Sequence, residues 1–449
     1  MLRVAIPVAL AVTCTAVSLS AQQRIEFDRY TLPNGLRVIL SQDHSTPIVT
    51  VSVWYNVGSA DELLGRSGFA HLFEHMMFQG SEHVQKREHT NTIQRAGGTV
   101  NGTTNEDRTN YFETLPANRL NVGLWLEADR MRSLAVTTEN FENQRDVVKE
   151  ERRLRLDNQP YTPAIIEGTT LLFDSTTCFP YSHSVIGSMD DLDAAQVEDV
   201  QAFFDLYYAP NNATLTVVGD FEPADAKRLI DQYYGDIPRG RDAPRPECQV
   251  TYGQGAGERV WEDKLATLPG VIIAYLAPPH AHPDTRALQL LSTILGAGES
   301  SRLNRALVRD AKTAVVSVVQ MSSRRGPGLF AAIAIANQGF TTDTIKAQLQ
   351  EQVAKVLAEG VTEQELTKAK NSFRAQDVFG RQTTFAIAEE LQHFAHFHES
   401  LDEIHTDLDG YMQVTAADIQ RVAEKYLVPE NSLTIIIVPA TAAGAGGTY

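Results

Sequence analysis

The sequence predicts an α+β protein built from two related halves. Short runs rich in β-branched and aromatic residues alternate with longer stretches of helical pattern. Several residues also recur at one constant offset of 219, and each set leads into an aliphatic run: Asp199-Val200-Gln201 with Asp418-Ile419-Gln420, Tyr207 with Tyr426, Pro210 with Pro429, and Asn212 with Asn431. We infer a duplicated unit of roughly 200 residues.

The first half opens with three predicted strands. They cover 27–32, 36–40 and 48–55, and Pro33-Asn34-Gly35 supplies the turn between the first two. After them we expect, in order, a helix over 67–79, a strand over 109–115, helices over 119–133 and 140–157, and a closing strand over 213–218.

Length and charge bound the domain organisation. The chain has 449 residues, of which 43% are hydrophobic, and a formal charge of −17. This is ample material for a multi-domain core, and the lack of a basic block argues against nucleic acid as a partner. We expect an N-terminal domain over 22–237, a Pro- and Gly-rich linker over 238–257, a C-terminal domain over 258–440, and a flexible tail over 441–449.

Residues 1–21 have the pattern of a secretory signal peptide. Arg3 precedes an apolar run over 4–17, and small residues follow before Gln22. The run is shorter than the roughly 20 residues that span a bilayer, so we expect an exported protein, periplasmic or secreted, with no membrane span. In an oxidising compartment, Cys178 and Cys248 form either one disulfide or two buried free thiols.

The candidate chemistry lies in His71-Leu72-Phe73-Glu74-His75. On a helix, His71 and His75 project from one face, one turn apart, where two imidazoles can reach one metal. Glu74 points about 100° around the helix, so it can contact a water on that metal without being a ligand. The pattern indicates a zinc hydrolase with Glu74 as general base. A helix that carries these three residues by chance is the alternative.

A third ligand is expected from a separate element. On a helical projection with Val147 at zero, Leu154 falls at about 340°, Glu151 at about 40°, Val148 at about 100°, Phe141 at about 120° and Glu150 at about 300°. The projection therefore places Glu151 inside an apolar stripe and Glu150 at its edge. A carboxylate on a buried face needs a partner, and either a metal or a buried arginine would suffice.

Taken together, these residues resemble the pitrilysin family, which includes insulin-degrading enzyme and the mitochondrial processing peptidase. The inverted zinc motif His-x-x-Glu-His is present. The resemblance covers most of the chain through further segments: Gly68-Phe69, Gly97-Gly98 with Asn101, Arg145-Asp146-Val147 before Glu151, Pro180-Tyr181 with Ile186-Gly187, and Tyr208-Ala209-Pro210-Asn211-Asn212. The chain is identified as a two-domain member of this family.

The resemblance implies a fold, an activity and a ligand set. Each half would be a mostly antiparallel β-sheet packed with helices, and the chain would form half of a clamshell. His71, His75 and Glu151 would hold one Zn²⁺ per chain, and Glu74 would activate the zinc-bound water of an endopeptidase that hydrolyses unfolded peptides in a closed chamber. Asn101 would bind substrate beside an edge strand to which the peptide adds.

The second half departs from the family pattern. The family carries an Arg and, seven residues later, a Tyr that stabilise the oxyanion. This chain keeps Arg309 as a substrate-binding candidate but has Val316 at the Tyr position. We expect it to be the zinc-bearing subunit of a heterodimer whose homologous companion subunit supplies Arg and Tyr, or otherwise a homodimer. A non-catalytic scaffold resembling the core proteins of respiratory complexes is the alternative function.

One further cluster contains His393, His396 and His398. Their spacing does not hold all three on one helical face, and Phe394 and Phe397 lie between them. We therefore expect core packing here rather than a second metal cluster.

Overall fold

A computed structural model describes residues 24–255 and 257–440. The expected signal peptide over 1–21 and the expected tail over 441–449 lie outside the described residues. The strands are β1 (Asp28–Thr31), β2 (Arg37–Gln42), β3 (Ile48–Tyr55), β4 (Thr99–Thr104), β5 (Thr109–Pro116), β6 (Ala213–Gly219), β7 (Gly257–Asp263), β8 (Gly270–Ala277), β9 (Ala314–Ser322), β10 (Gly328–Ala336) and β11 (Ser432–Pro439).

Helices pack around these strands. They are α1 (Phe69–Met76), α2 (Glu88–Arg95), α3 (Leu120–Ser133), α4 (Thr138–Arg152), α5 (Met189–Ala194), α6 (Val197–Tyr207), α7 (Pro223–Tyr234), α8 (Thr285–Gly296), α9 (Thr342–Glu359), α10 (Glu363–Phe379), α11 (Thr384–Phe397), α12 (Asp407–Gln413) and α13 (Ala416–Tyr426). Within the described ranges, no helix is both long and apolar enough to cross a membrane.

The strands form two sheets of matching topology. The first has the order β1-β2-β6-β3-β5-β4 and the second has the order β7-β11-β8-β10-β9. In each sheet the last strand in sequence pairs in parallel with the strand on one side, β2 or β7, and antiparallel with the strand on the other, β3 or β8. Apart from the added β1, the strands correspond one to one. The structure confirms the predicted α+β fold with two mostly antiparallel sheets.

Asn212 and Asn431, which are related by the 219 offset, make equivalent hydrogen bonds in the two halves. Asn212 and Asn431 are buried, and the side-chain amide of each donates 2.8 Å hydrogen bonds to the carbonyls of Tyr207 and Tyr426, respectively. The same amides also donate to carbonyls at the ends of β3 and β8, those of Asn56 and Leu276. Each asparagine therefore ties the end of a helix, α6 or α13, to the sheet that the following strand enters.

Replacing either asparagine with alanine should destabilise the protein by about 1–3 kcal/mol, because two buried carbonyls lose their donor. We expect Asn212→Ala and Asn431→Ala to have similar effects, measured by chemical denaturation. Glu430→Ala is the matched control, since Glu430 is exposed and adjoins Asn431. A shift no larger than that of the control would show that the paired asparagines have no common structural role.

Each half also covers the sheet of the other. Helix α11 lies in the second half of the sequence but packs on the first sheet, where Gln392 donates to the carbonyls of Ser52 and Thr214. Conversely, residues 164–181 lie in the first half of the sequence and pack on the second sheet. There a Cβ on Gly168 would lie 2.9 Å from Cδ1 of Ile435, so the close approach requires glycine.

The segment between the two sheets is irregular but anchored. Arg245 donates to the carbonyl of Asn56 and to Oδ1 of Asn212, at 2.7 and 3.0 Å. A disulfide joins Cys248 in this segment to Cys178 in the segment that covers the second sheet. Of the two cysteine states that the sequence left open, the structure therefore has the bonded one. The domain boundaries proposed from the sequence stay a prediction.

Candidate active site

Glu62 caps the N-terminus of helix α1, which carries the His-x-x-Glu-His motif. The carboxylate of Glu62 accepts hydrogen bonds from the backbone N–H groups of Gly68 and Ala70, at 2.9 and 2.7 Å. These donors have no partner within the helix, and a carboxylate is favoured at a helix N-terminus. Gly68 has φ of 90°, and a Cβ there would lie 2.7 Å from the carbonyl oxygen of Ile186.

The helix is shorter than the sequence predicted, spanning Phe69–Met76 rather than 67–79. Leu72, Phe73 and Met76 are buried and fix its orientation in the first core. With that face held against the core, His71, Glu74 and His75 are only partly buried and face the neighbouring elements β4 and α4.

The predicted apolar stripe on α4 is confirmed at Phe141 and Val148 but wrong at Val147 and Leu154. Val147 and Leu154 are 41% and 64% exposed, whereas the buried face of α4 passes through Phe141, Gln144 and Val148. Leu154 lies in a π-helical turn, Arg153–Asp157, where 100° per residue no longer applies. Glu151 therefore lies at the border of the buried face and not at its centre. Glu150 is exposed and pairs with Arg153.

The structure brings His71, His75 and Glu151 together. Oε2 of Glu151 lies 3.1 Å from Nε2 of His75 and 3.8 Å from Nε2 of His71. The other carboxylate oxygen, Oε1, forms an ion pair with Arg155, one turn further along the chain, at 2.9 Å. Burial, together with the neighbouring His75, lowers the pKa of His71 to about 4. A hydrogen bond from His75 holds the pKa of Glu151 below its ordinary value.

These three side chains fit a zinc ion. Two imidazole nitrogens and one carboxylate oxygen all lie within 4.8 Å of one another, which is the donor set of a three-ligand zinc site. A neutral imidazole and an ionised carboxylate are the states that bind a metal, and they are the states that the pKa shifts of His71 and Glu151 favour.

Glu74 lies beside this set and is held by a residue that the sequence did not single out. The hydroxyl of Thr104, at the end of β4, donates to Oε2 of Glu74 at 2.6 Å. A Cβ on the neighbouring Gly102 would lie 3.3 Å from Cγ of Glu74, so a small residue is needed where the strand passes the carboxylate. Burial raises the pKa of Glu74, and the Thr104 hydrogen bond opposes that rise.

A cavity of about 470 Å³ contains these groups. Asn101 lines it from β4, together with Gln144 from α4, and Arg155 brings a cationic side chain to its wall. Arg309 does not line it. That residue lies in a π-helical turn of the second half, exposed and paired with Asp310, and Val316 is half-exposed on β9. The structure thus unites five of the six predicted site residues and leaves Arg309 apart.

Removing the Thr104 hydroxyl tests its role as a positioning residue. For the peptidase activity that the sequence predicts, we expect Thr104→Val to lower kcat by about tenfold, because Glu74 loses the bond that orients its carboxylate. Zinc content should stay unchanged, and the pH optimum should move because the pKa of Glu74 changes with its hydrogen bonding. The isosteric Thr99→Val, at the exposed start of the same strand, is the control. Equal kcat values and pH profiles for the two variants would show that Thr104 does not position Glu74.

Two family models match the chain. "Insulinase (Peptidase family M16)" matches residues 37–165, which include the motif helix and Glu151. "Peptidase M16 inactive domain" matches residues 194–373, which begin at the end of α5 and contain Arg309. The zinc-ligand candidates and the second half therefore fall under separate models of one family.

Individual proteins show the same relationship over nearly the whole chain. The zinc protease PqqE of Helicobacter pylori is 28% identical over 436 residues, covering 94% of this chain and 95% of that protein. A crystal structure of a protease from Helicobacter pylori has a TM-score of 0.86 at 27% identity, covering 93% of this chain and all of that one.

A longer structure shares the fold. The periplasmic protease PqqL of Escherichia coli has a TM-score of 0.75 at 18% identity, and the match covers 94% of this chain but only 48% of that chain. The sequence motifs, the paired sheets and these matches agree, and the chain belongs to the M16 family of peptidases as a two-domain member.

Proposed function

We propose that the chain is a zinc-dependent endopeptidase that hydrolyses unfolded peptides. One observation carries this proposal: His71, His75 and Glu151 converge within 4.8 Å of one another, and Glu74 lies in the same cavity. A scaffold has no use for a converging metal-ligand set beside a buried carboxylate. The related zinc protease of Helicobacter pylori supports the same reading.

The residues of this chain would divide the work. His71, His75 and Glu151 would hold one zinc ion per chain. When bound, zinc supplies a Lewis acid that polarises a carbonyl and lowers the pKa of water to about 7. Glu74 takes up the proton of the attacking water and passes it to the leaving amine. Burial raises the pKa of Glu74, which suits a group that must both accept and release a proton near neutral pH.

Substrate binding would use the free edge of β4. This strand is the last in the first sheet, and it passes directly beside Glu74 through Gly102 and Thr104. A peptide added to that edge would place its backbone along the cavity, and Asn101, which is exposed there, would contact it. Backbone pairing requires an extended substrate, so unfolded peptides are the expected class.

Removing the metal tests this function directly. We expect a strong chelator to abolish cleavage of an internally quenched, unstructured peptide, and added Zn²⁺ to restore it. A zinc-free protein that cleaves at the same rate would contradict the proposal. A folded protein that binds zinc and cleaves no peptide under any pairing tested would favour the scaffold alternative instead.

We further propose that catalysis needs a second subunit. The oxyanion of the tetrahedral intermediate requires hydrogen-bond donors. Arg155 is a cation in the cavity wall, but it is already paired with Glu151. Arg309 stands apart and Val316 has no side-chain donor. The chain matches about half of the longer periplasmic protease PqqL of Escherichia coli, which supports a closed chamber made from two such units. The companion would be a homologous chain bearing the Arg and Tyr, or else a second copy.

Activity on mixing distinguishes these two companions. The heterodimer proposal expects the purified chain to be nearly inactive alone and activated by a homologous chain that keeps the Arg and Tyr. In a homodimer, Val316→Tyr should raise the activity of the chain alone, since the tyrosine would then be supplied by a second copy. Full activity of the parent chain alone would contradict the heterodimer.

Export is also proposed. The signal-like segment over 1–21 and the Cys178–Cys248 disulfide support it, because disulfides persist in oxidising compartments. Fractionation of cells that produce the full chain should recover a processed protein outside the cytoplasm, and an unprocessed protein confined to the cytosol would contradict this.

A further inference from the structure

Three histidines meet outside the set of residues that line the catalytic cavity. His393 lies on α11, His398 directly follows that helix, and His280 follows β8 of the second sheet. The sequence grouped His393 and His398 with His396, but the structure replaces that partner. Nε2 of His396 lies 3.2 Å from the guanidinium of Arg325, and His280 takes its place beside the other two.

The arrangement of the three rings is that of a metal site. One ligand nitrogen from each histidine lies within 4.8 Å of the others, and the ring centroids are 4.9, 5.0 and 5.7 Å apart. The Nε2 atoms of His280 and His398 are separated by 3.1 Å. Two imidazole nitrogens bound to one tetrahedral zinc, at 2.0–2.1 Å from it, would be about 3.3 Å apart.

A carboxylate sets the orientation of His398. Nδ1 of His398 lies 3.1 Å from Oε2 of Glu403, so the Nδ1–H donates there and the lone pair is left on Nε2. Glu403 is itself fixed, because its other oxygen accepts from the backbone N–H of Ser400 at 3.0 Å. A carboxylate behind a metal-binding histidine is the usual outer partner of such sites.

The other two histidines are partly buried. Burial lowers the pKa of His280 to about 4 and that of His393 to about 3, so both imidazoles keep a free lone pair at neutral pH. A cavity of about 280 Å³ opens beside His280 and His398, and its wall includes Glu403 and the Arg286–Asp407 ion pair. It provides an entry path and room for a further ligand.

The position of the cluster indicates its role. Helix α11 belongs to the second half but covers the first sheet, and we call it the crossover helix. Its C-terminal end, with His393 and His398, lies against His280, which follows β8 of the second sheet. A hydrogen bond between His280 and His398 alone would leave the convergence of His393 unexplained. We propose that His280, His393 and His398 form a second site, for a zinc ion, that fastens the crossover helix to the second half.

Zinc titration in a background without the catalytic set tests this proposal. In the full-length His71→Ala/His75→Ala variant, Zn²⁺ competed against a chromophoric chelator should bind at one ion per chain and raise the Tm. Adding His280→Gln or His393→Gln should weaken that binding by at least about 100-fold and abolish the rise in Tm. His44→Gln, at an exposed histidine paired with Asp220, is the control and should change neither.

The melting curve also reports whether each variant is folded. If the background variant does not fold, the parent protein should contain two zinc ions per chain, and His393→Gln should reduce the count to one. A folded background variant that binds no zinc, or binding that survives both His280→Gln and His393→Gln, would overturn the proposal. Because the background lacks the catalytic ligands, the titration outcomes do not depend on the proposed function, and in the parent protein the result that decides is the loss of one zinc ion on His393→Gln.

Discussion

Glu74→Gln should lower peptide cleavage by about 10²- to 10⁴-fold while the protein keeps its zinc. Glutamine has almost the same shape, so it can retain the hydrogen bond from Thr104 and leave His71 and His75 in place. An amide cannot accept the proton of the attacking water at neutral pH, so the step that Glu74 performs is lost. The measurement pairs steady-state cleavage of a quenched peptide with metal analysis of the same sample.

The control for this substitution is Glu82→Gln, at an exposed position after the motif helix. It should leave both cleavage and zinc content unchanged. Zinc retained together with undiminished cleavage in Glu74→Gln would refute the role of Glu74 as general base. Loss of zinc in that variant would instead place Glu74 among the ligands.

Glu151→Gln should weaken zinc binding by at least about 100-fold and abolish cleavage with it. The carboxylate is the one anionic group in the His71, His75 and Glu151 set, and its Oε2 lies within 4 Å of both histidines. A neutral amide offers a weaker donor to a divalent cation and no charge to offset it. Isothermal titration with Zn²⁺, checked by metal analysis after dialysis, measures the change.

Glu150→Gln is a closely matched control, because it makes the same chemical change one residue away. Glu150 is exposed and pairs with Arg153, outside the cavity. We expect its zinc affinity and activity to equal those of the parent. Equal effects of the two substitutions would mean that net charge near α4, and not coordination by Glu151, controls metal binding.

Much of the fold was predictable, because it depends on local patterns. Alternation of apolar residues marks the strands, and the 219 offset survives because Asn212 and Asn431 make the same hydrogen bonds at the same point of each half. The exchange of covering segments was not predictable. Helix α11 and residues 164–181 each lie in one half of the sequence and pack on the sheet of the other, which no periodicity records.

The candidate site divides in the same way. The His71 and His75 spacing follows from helix geometry, so the sequence alone places them on one face. Glu151 was selected by its place in the family pattern, after Arg145-Asp146-Val147, whereas the apolar stripe used to support it was partly misplaced, since Leu154 lies in a π-helical turn. Glu62, Thr104 and His280 reach their partners from distant elements, so only the assembled fold reveals them.

The central claim is that one zinc ion lies between His71, His75 and Glu151. Anomalous diffraction at the zinc absorption edge, on crystals of the protein grown with Zn²⁺, tests it most directly. We expect an anomalous peak about 2.0–2.2 Å from Nε2 of both histidines and from a carboxylate oxygen of Glu151. A zinc-saturated crystal with no peak between these three side chains would contradict it.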